Sequence, residues 1–306
     1  MTFNHLTVKD YTTLKPFFNN QKYDLCSYSL PTLIVWSNNT FQPFWTVYRG
    51  SLIVCAEYST ESEERHIILP ISPGKEFSPD ELRDLAATLG FTCFWLVPDS
   101  YIARYGEEEI RRYFTIKEQN EYEDYIYLTR ELSELSGNRY SKKRNLIHQF
   151  QKKYCETDRA QLESISSENI ADCLDFLDEW CRIRRCEQAD NNGLACEKQA
   201  AANMLQNIDK FDSEGLLLRI DGTVNAFGVS SFLTQEMGVL QFEKAFEKIK
   251  GLYQYFDNEC IKRLFGKFKY VNKESDMNIP GLAHSKKSYY PIRKVKAYKL
   301  TVCNSS

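Results

Sequence analysis

A carboxylate, several lysines and the start of a helix fall close together near residue 250. Glu243 ends a strand pattern over residues 237–242, and Lys244, Lys248, Lys250 and Gly251 follow before a helical pattern opens at Leu252. Free backbone N–H groups and the helix dipole make such a start attractive to an anion, and lysines beside it add charge. A carboxylate at the strand end is placed to accept a proton from an incoming group. The plainer alternatives are a loop-ending glycine, solvated lysines and a salt bridge to Glu243. Residues 139–153 hold six Lys or Arg and no acid, with Lys143 and Arg144 among them. Such a stretch suits phosphates, of a cofactor or of an RNA, or only solvent. Asn272, Glu274 and Asp276 follow another strand pattern, where they suit either an amine ligand or the hydrogen bonds of an Asx turn.

The elements that must position these groups repeat. In the first half, Thr7 caps a helical pattern reaching Phe18. Residues 44–48 and 51–58 flank Arg49-Gly50 as a hairpin, and residues 65–71 read as a third strand. Ser78-Pro79-Asp80-Glu81 is a capping box with proline at the first helical position, and Gly90 ends that helix. Residues 92–97 are the next strand. The second half has helical patterns over residues 167–184 and 194–208, a hairpin around Asp221-Gly222, strands at 237–242 and 269–272, and a helix at 252–265 between them. Both halves therefore read helix, hairpin, strand, helix, strand. This predicts an α/β fold with mixed sheets, duplicated, with domains at 1–138 and 139–306.

The chain has 306 residues, 19 Tyr and 19 Phe, enough for more than one core. The net charge of −3 hides an asymmetry: residues 1–138 carry 12 basic and 20 acidic side chains, residues 139–306 carry 27 and 22. The second half is where an anionic ligand is expected. No basic-then-apolar leader and no apolar run of membrane-spanning length occurs, so the reading predicts a soluble, cytoplasmic protein with reduced cysteines. No Cys or His pair has metal-ligand spacing, so no metal is expected. Walker, dinucleotide-binding and Gly-x-Ser-x-Gly motifs are absent.

Three stretches carry a family resemblance. The first contains Asp124-Tyr125-Ile126-Tyr127, Leu132-Ser133-Glu134-Leu135-Ser136-Gly137 and Lys142-Lys143-Arg144-Asn145. The second contains Phe242-Glu243-Lys244-Ala245 and Gly251-Leu252-Tyr253-Gln254. The third runs from Tyr270-Val271-Asn272-Lys273-Glu274-Ser275-Asp276 through Gly281-Leu282 to Lys286-Lys287-Ser288-Tyr289-Tyr290-Pro291. This order resembles the bacterial family sharing the C-terminal domain of phosphatidylglycerol lysyltransferases. The resemblance implies two tandem GNAT-like domains and transfer of an acyl or aminoacyl group to an amine or hydroxyl. The donor would be a coenzyme A thioester, which the notably compact lysine-lined helix start favours, or an aminoacyl-tRNA. The acceptor, a small molecule or a lipid headgroup, is left open, as is the oligomeric state. A catalytically inactive binding or regulatory protein of the same fold is the alternative.

Residue by residue, the resemblance places a cofactor pyrophosphate at Lys248-Ile249-Lys250-Gly251-Leu252-Tyr253, with Tyr253 where the family pattern has a small residue. Glu243 is the candidate base by its placement at the strand end, and the resemblance offers a tyrosine such as Tyr253 as the acid for the leaving group, with packing as the alternative role for it. Lys286 would meet the substrate or pair with Glu274 or Asp276. The first domain, lacking a comparable loop, would be structural.

Overall fold

In the computed structural model, residues 2–38, 41–58, 65–186 and 192–303 are described. Their strands are β1 (Asn4–His5), β2 (Phe41–Tyr48), β3 (Ser51–Tyr58), β4 (His66–Ile67), β5 (Cys93–Pro98), β6 (Phe114–Glu118), β7 (Asp124–Leu128), β8 (Ala160–Ser164), β9 (Ser213–Ile220), β10 (Thr223–Thr234), β11 (Met237–Ala245), β12 (Tyr270–Asn272), β13 (Arg293–Val295) and β14 (Ala297–Val302). They form two seven-stranded sheets, ordered β1-β2-β3-β4-β5-β14-β6 and β13-β7-β12-β11-β10-β9-β8.

The local signals act as the chemistry dictates. Arg49 and Gly50 both have positive φ, as do Asp221 and Gly222, which is the backbone a tight two-residue hairpin needs. Ser78 and Glu81 close a capping box, Glu81 Oε2 accepting from the Ser78 amide at 2.8 Å. That helix, Pro79–Leu89, buries Leu82, Leu85 and Ala86 and stops at Gly90 with φ +74°.

Each sheet holds one parallel pair among antiparallel neighbours: β4 with β5, and β11 with β12. The orders match strand for strand, with one exchange. β7, from the first half, lies between β12 and β13 of the second sheet. β14, from the end of the chain, lies between β5 and β6 of the first. The hydrogen-bonded sheets therefore cross the sequence boundary at residue 138. The larger apolar core runs from Leu6 to Leu300 and joins both halves, while a second lies between the second sheet and the helix Leu252–Leu264.

Candidate functional site

β11 and β12 are paired only from Met237 to Val239. Beyond that the two strands part, and residues 240–245 have no strand partner on this edge among the described residues. A wedge opens between the end of β11 and the loop after β12. The pairing of β10 with β11 skips one residue at this point: Val229 faces Phe242 and Ser230 faces Leu240. Gln241 is the extra residue of this bulge. A bulge shifts the alternation of faces by one, so Glu243 and Ala245 turn toward the helix Leu252–Leu264, while Phe242 and Lys244 turn to the other face.

On the helix side, four groups meet. Lys273 pairs with Asp257 and lies 3.7 Å from Glu243 Oε2. The Tyr289 hydroxyl faces Asp257. The Glu243, Lys273 and Asp257 side chains are only 15%, 11% and 5% exposed. Burial, then the Asp257 charge, push the Glu243 carboxyl up to about 8. Burial opposes the Lys273 charge, but Asp257 and Glu243 outweigh it and hold the ammonium above its usual range. Two carboxyl groups thus share one ammonium, and near neutral pH Glu243 holds a proton. Lys143 stands nearby, its Nζ 3.4 Å from the Tyr289 ring centre and donating to Ser288 Oγ at 2.8 Å. Burial, opposed by Asp257, lowers it to about 8.

On the other face, Lys244 pairs with Glu197 and lies over the Trp180 ring at 4.6 Å. Glu274 follows β12 with φ +57°, a conformation that costs a non-glycine residue energy. Its carboxyl accepts no hydrogen bond among the described residues. Burial pushes it up to about 8, against the pull of Lys286. Lys286 in turn ties the loop down, donating to the carbonyls of Lys273, Glu274 (3.0 Å) and Ser275 (2.7 Å), and burial lowers it to about 8.

The other expected residues divide. Asn272 is fully buried and bridges the Asp24 carbonyl and Asp124, both at 2.7 Å, and its Oδ1 accepts from the Glu274 amide, so it shapes the loop. Asp276 accepts from the Tyr125 hydroxyl at 2.5 Å and the Asn278 amide at 2.9 Å. Arg144 binds the carbonyls of Leu135 and Gly137 at 2.5 and 2.7 Å, fixing the linker. Lys248 and Lys250 are exposed. Leu252 is buried in the second core. Tyr253 is turned to the strand end, where the Ala245 amide and the Trp180 indole face its hydroxyl, and burial raises its pKa.

Gly251, at φ +82°, abuts the Leu146 carbonyl of the helix Ser141–Phe150, with no room for a side chain. The start of the Leu252–Leu264 helix is therefore covered on that side by protein. A pyrophosphate fits poorly there, since the nearest neighbour of Gly251 is a carbonyl oxygen and Lys244 is already paired.

The first sheet has its own divergence, between β4 and β5, and it is plugged. The Tyr28 hydroxyl accepts from the Leu69 amide at 3.2 Å and donates to the Leu96 carbonyl at 3.1 Å, with no exposed surface. Asp257, Lys273 and Tyr289 were not singled out from the sequence. Asp257 and Asn258 carried a signal, two polar residues within the apolar stripe of their helix; Lys273 and Tyr289 lay inside the stretches that carry the family resemblance, with no role assigned to either.

Two mixed sheets, each with one parallel pair, and a pair that splays define a GNAT-like α/β fold. The chain belongs to the family described as phosphatidylglycerol lysyltransferase, C-terminal, whose profile matches residues 40–301. It is similar to the crystal structure of a conserved protein of unknown function from Bacteroides thetaiotaomicron, with 26% identity over 99% of this chain and 100% of that one, TM-score 0.87. It is also similar to the C-terminal domain of a putative lysylphosphatidylglycerol synthetase from Agrobacterium fabrum, with 12% identity over 97% and 91%, TM-score 0.64. A tandem GNAT protein from the clavulanic acid biosynthesis pathway matches at 9% identity over 100% and 99%, TM-score 0.46. No curated protein matches. Among the described residues, no helix is long and apolar enough to cross a membrane, and no cluster of His, Cys, Asp and Glu has the form of a metal site.

Proposed function

We propose that this protein transfers an aminoacyl group from an ester donor of the aminoacyl-tRNA type to a hydroxyl or amine acceptor held in the wedge between β11 and β12. The observation that carries this reading is the pair of opposed carboxyl groups at the splay, Glu243 on one face and Glu274 on the other. An aminoacyl donor brings an α-ammonium, whose charge would draw the proton from the buried Glu274 carboxyl and pair with it. Glu243, once ionised, takes the proton of the acceptor as the acceptor oxygen or nitrogen bonds to the donor carbonyl carbon. The donor ester C–O bond breaks, and Tyr253 hands a proton to the leaving oxygen. Lys273 steadies Glu243 in its charged form, and the site contributes mainly position. Of the basic stretch at residues 139–153, the exposed Lys152 and Lys153 give the RNA phosphates a surface. The first half, with its divergence filled by Tyr28, serves as scaffold.

A coenzyme A thioester is the second reading, favoured by exposed Lys248 and Lys250. The separating experiment is calorimetric titration with coenzyme A and acetyl-coenzyme A, beside an assay of amino-acid transfer or release from a mixed aminoacyl-tRNA pool. Transfer lost in Glu243→Gln, with no coenzyme A binding, supports the aminoacyl donor. Micromolar coenzyme A binding with no turnover of tRNA replaces it. A folded protein that does neither is a binding or regulatory member of the fold.

A further inference from the structure

Seven large apolar residues among those described stand exposed, and five of them fall within residues 277–292: Met277, Ile279, Leu282, Tyr290 and Ile292, each between 37% and 48% exposed. They belong to one loop, helix and turn. The helix, Pro280–Lys287, buries none of its residues. Such a grouping on one segment is unlike the scattered apolar residues of an ordinary surface.

The surroundings are basic. From residue 277 to the last residue there are six Lys or Arg and no acid. Arg293, Lys294 and Lys296 are paired with Asp24, Glu123 and Glu118, and Lys286 is turned inward, but Lys287 carries no acidic partner among the described residues. Arg139, paired with Glu131, lies 5.0 Å from the Tyr290 ring centre, and Lys142, three residues on, is exposed and without an acidic partner among the described residues. The segment also backs the site, since Tyr289 faces Asp257 from it.

We propose that residues 277–292 dock this protein on the surface of an anionic lipid bilayer. The apolar side chains would sit among the upper acyl carbons, with Lys142 and Lys287 against the headgroup phosphates. Charge complementarity chooses this occupant. A second copy would bring the same positive rim against itself, and an RNA has no apolar surface for Met277, Ile279 and Ile292. The docking does not depend on the transfer reaction.

The test is cosedimentation of the whole protein with vesicles of phosphatidylcholine alone and of phosphatidylcholine mixed with phosphatidylserine. Wild type should bind the anionic vesicles, less so as salt rises. Ile279→Asp with Leu282→Asp should lower the partition about tenfold, and Lys142→Glu with Lys287→Glu should remove the preference for anionic lipid. A second reading does not rely on loss: Ile279→Trp should gain blue-shifted emission that brominated acyl chains quench. Absent or lipid-indifferent binding, or binding untouched by the aspartate pair, overturns the proposal. So does a patch whose aspartate variants lose RNA binding or self-association while vesicle binding stays the same.

Discussion

Glu243, near the end of β11, and Lys273, in the loop just after β12, stand 3.7 Å apart, with Lys273 also bound to Asp257. One ammonium therefore serves two carboxyl groups in a site from which water is largely excluded. Lys273→Met should leave both acids uncompensated and cost about 3–5 kcal/mol of stability. Combining it with Asp257→Asn should recover part of that loss. Urea unfolding of the two single variants and the double variant measures the coupling; strict additivity would show that the groups do not interact.

The pH dependence of stability follows from the raised Glu243 carboxyl. Its folded pKa, about 8, lies above the unfolded value. Between the two the folded state holds a proton that the unfolded state has lost, so this group's stabilising contribution is present at low pH and drains away as pH rises toward 8. Glu243→Gln removes that drain. Its melting temperature relative to wild type should climb by several degrees between pH 5 and 8, read by calorimetry across that range. A constant offset would refute it.

The same ionisation governs chemistry. A protonated Glu243 is no base, so the transfer rate should rise with pH to an inflection near 8. Glu243→Gln should lose about 10²–10⁴-fold in kcat with little change in donor binding. Tyr253→Phe should lose less and keep the inflection. The pH–rate profiles of both variants, with donor affinity measured separately, distinguish base from leaving-group acid.

Gly251→Ala tests packing rather than ligand binding. At φ +82° and against the Leu146 carbonyl, a methyl group meets both backbone strain and a clash. The variant should unfold at lower denaturant by well over about 1 kcal/mol. A thermal shift without any added ligand suffices to check it.

Tyr28→Phe removes the hydroxyl that satisfies the buried Leu69 amide and Leu96 carbonyl. The expected cost is about 1–3 kcal/mol, with transfer activity unchanged if the first half is scaffold. Lost activity in a folded variant would assign that half a catalytic share.

Much of the fold was legible because its signals are local. The capping box at Ser78, the Asp221-Gly222 turn and the order helix, hairpin, strand, helix, strand each depend on neighbours in sequence. The exchange of β7 and β14 was not legible, because pairing across more than a hundred residues leaves no mark on either strand alone. The third strand was expected over residues 65–71, but its ladder is only His66–Ile67 with a bridge from Ile71 to Leu52. The gap there is where Tyr28 enters. In the site, Glu243 was legible from its place at a strand end. Its partners were not, since Asp257, Lys273 and Tyr289 come from a helix, a loop and a turn that only the folded sheet brings together. Lys244 was expected beside the helix start; the Gln241 bulge, invisible in the sequence, turns it to the opposite face.

The exchanged strands give the chain an order of assembly. β14, within residues 297–302, fills the slot between β5 and β6, so the first sheet waits for a strand made more than 170 residues after β6. Until then the neighbouring edges of β5 and β6 lie open, and nascent chains on one message could lend each other the missing strand. Slow synthesis between β6 and β14, or a stop codon just before Ala297, would therefore harm the half that was made first.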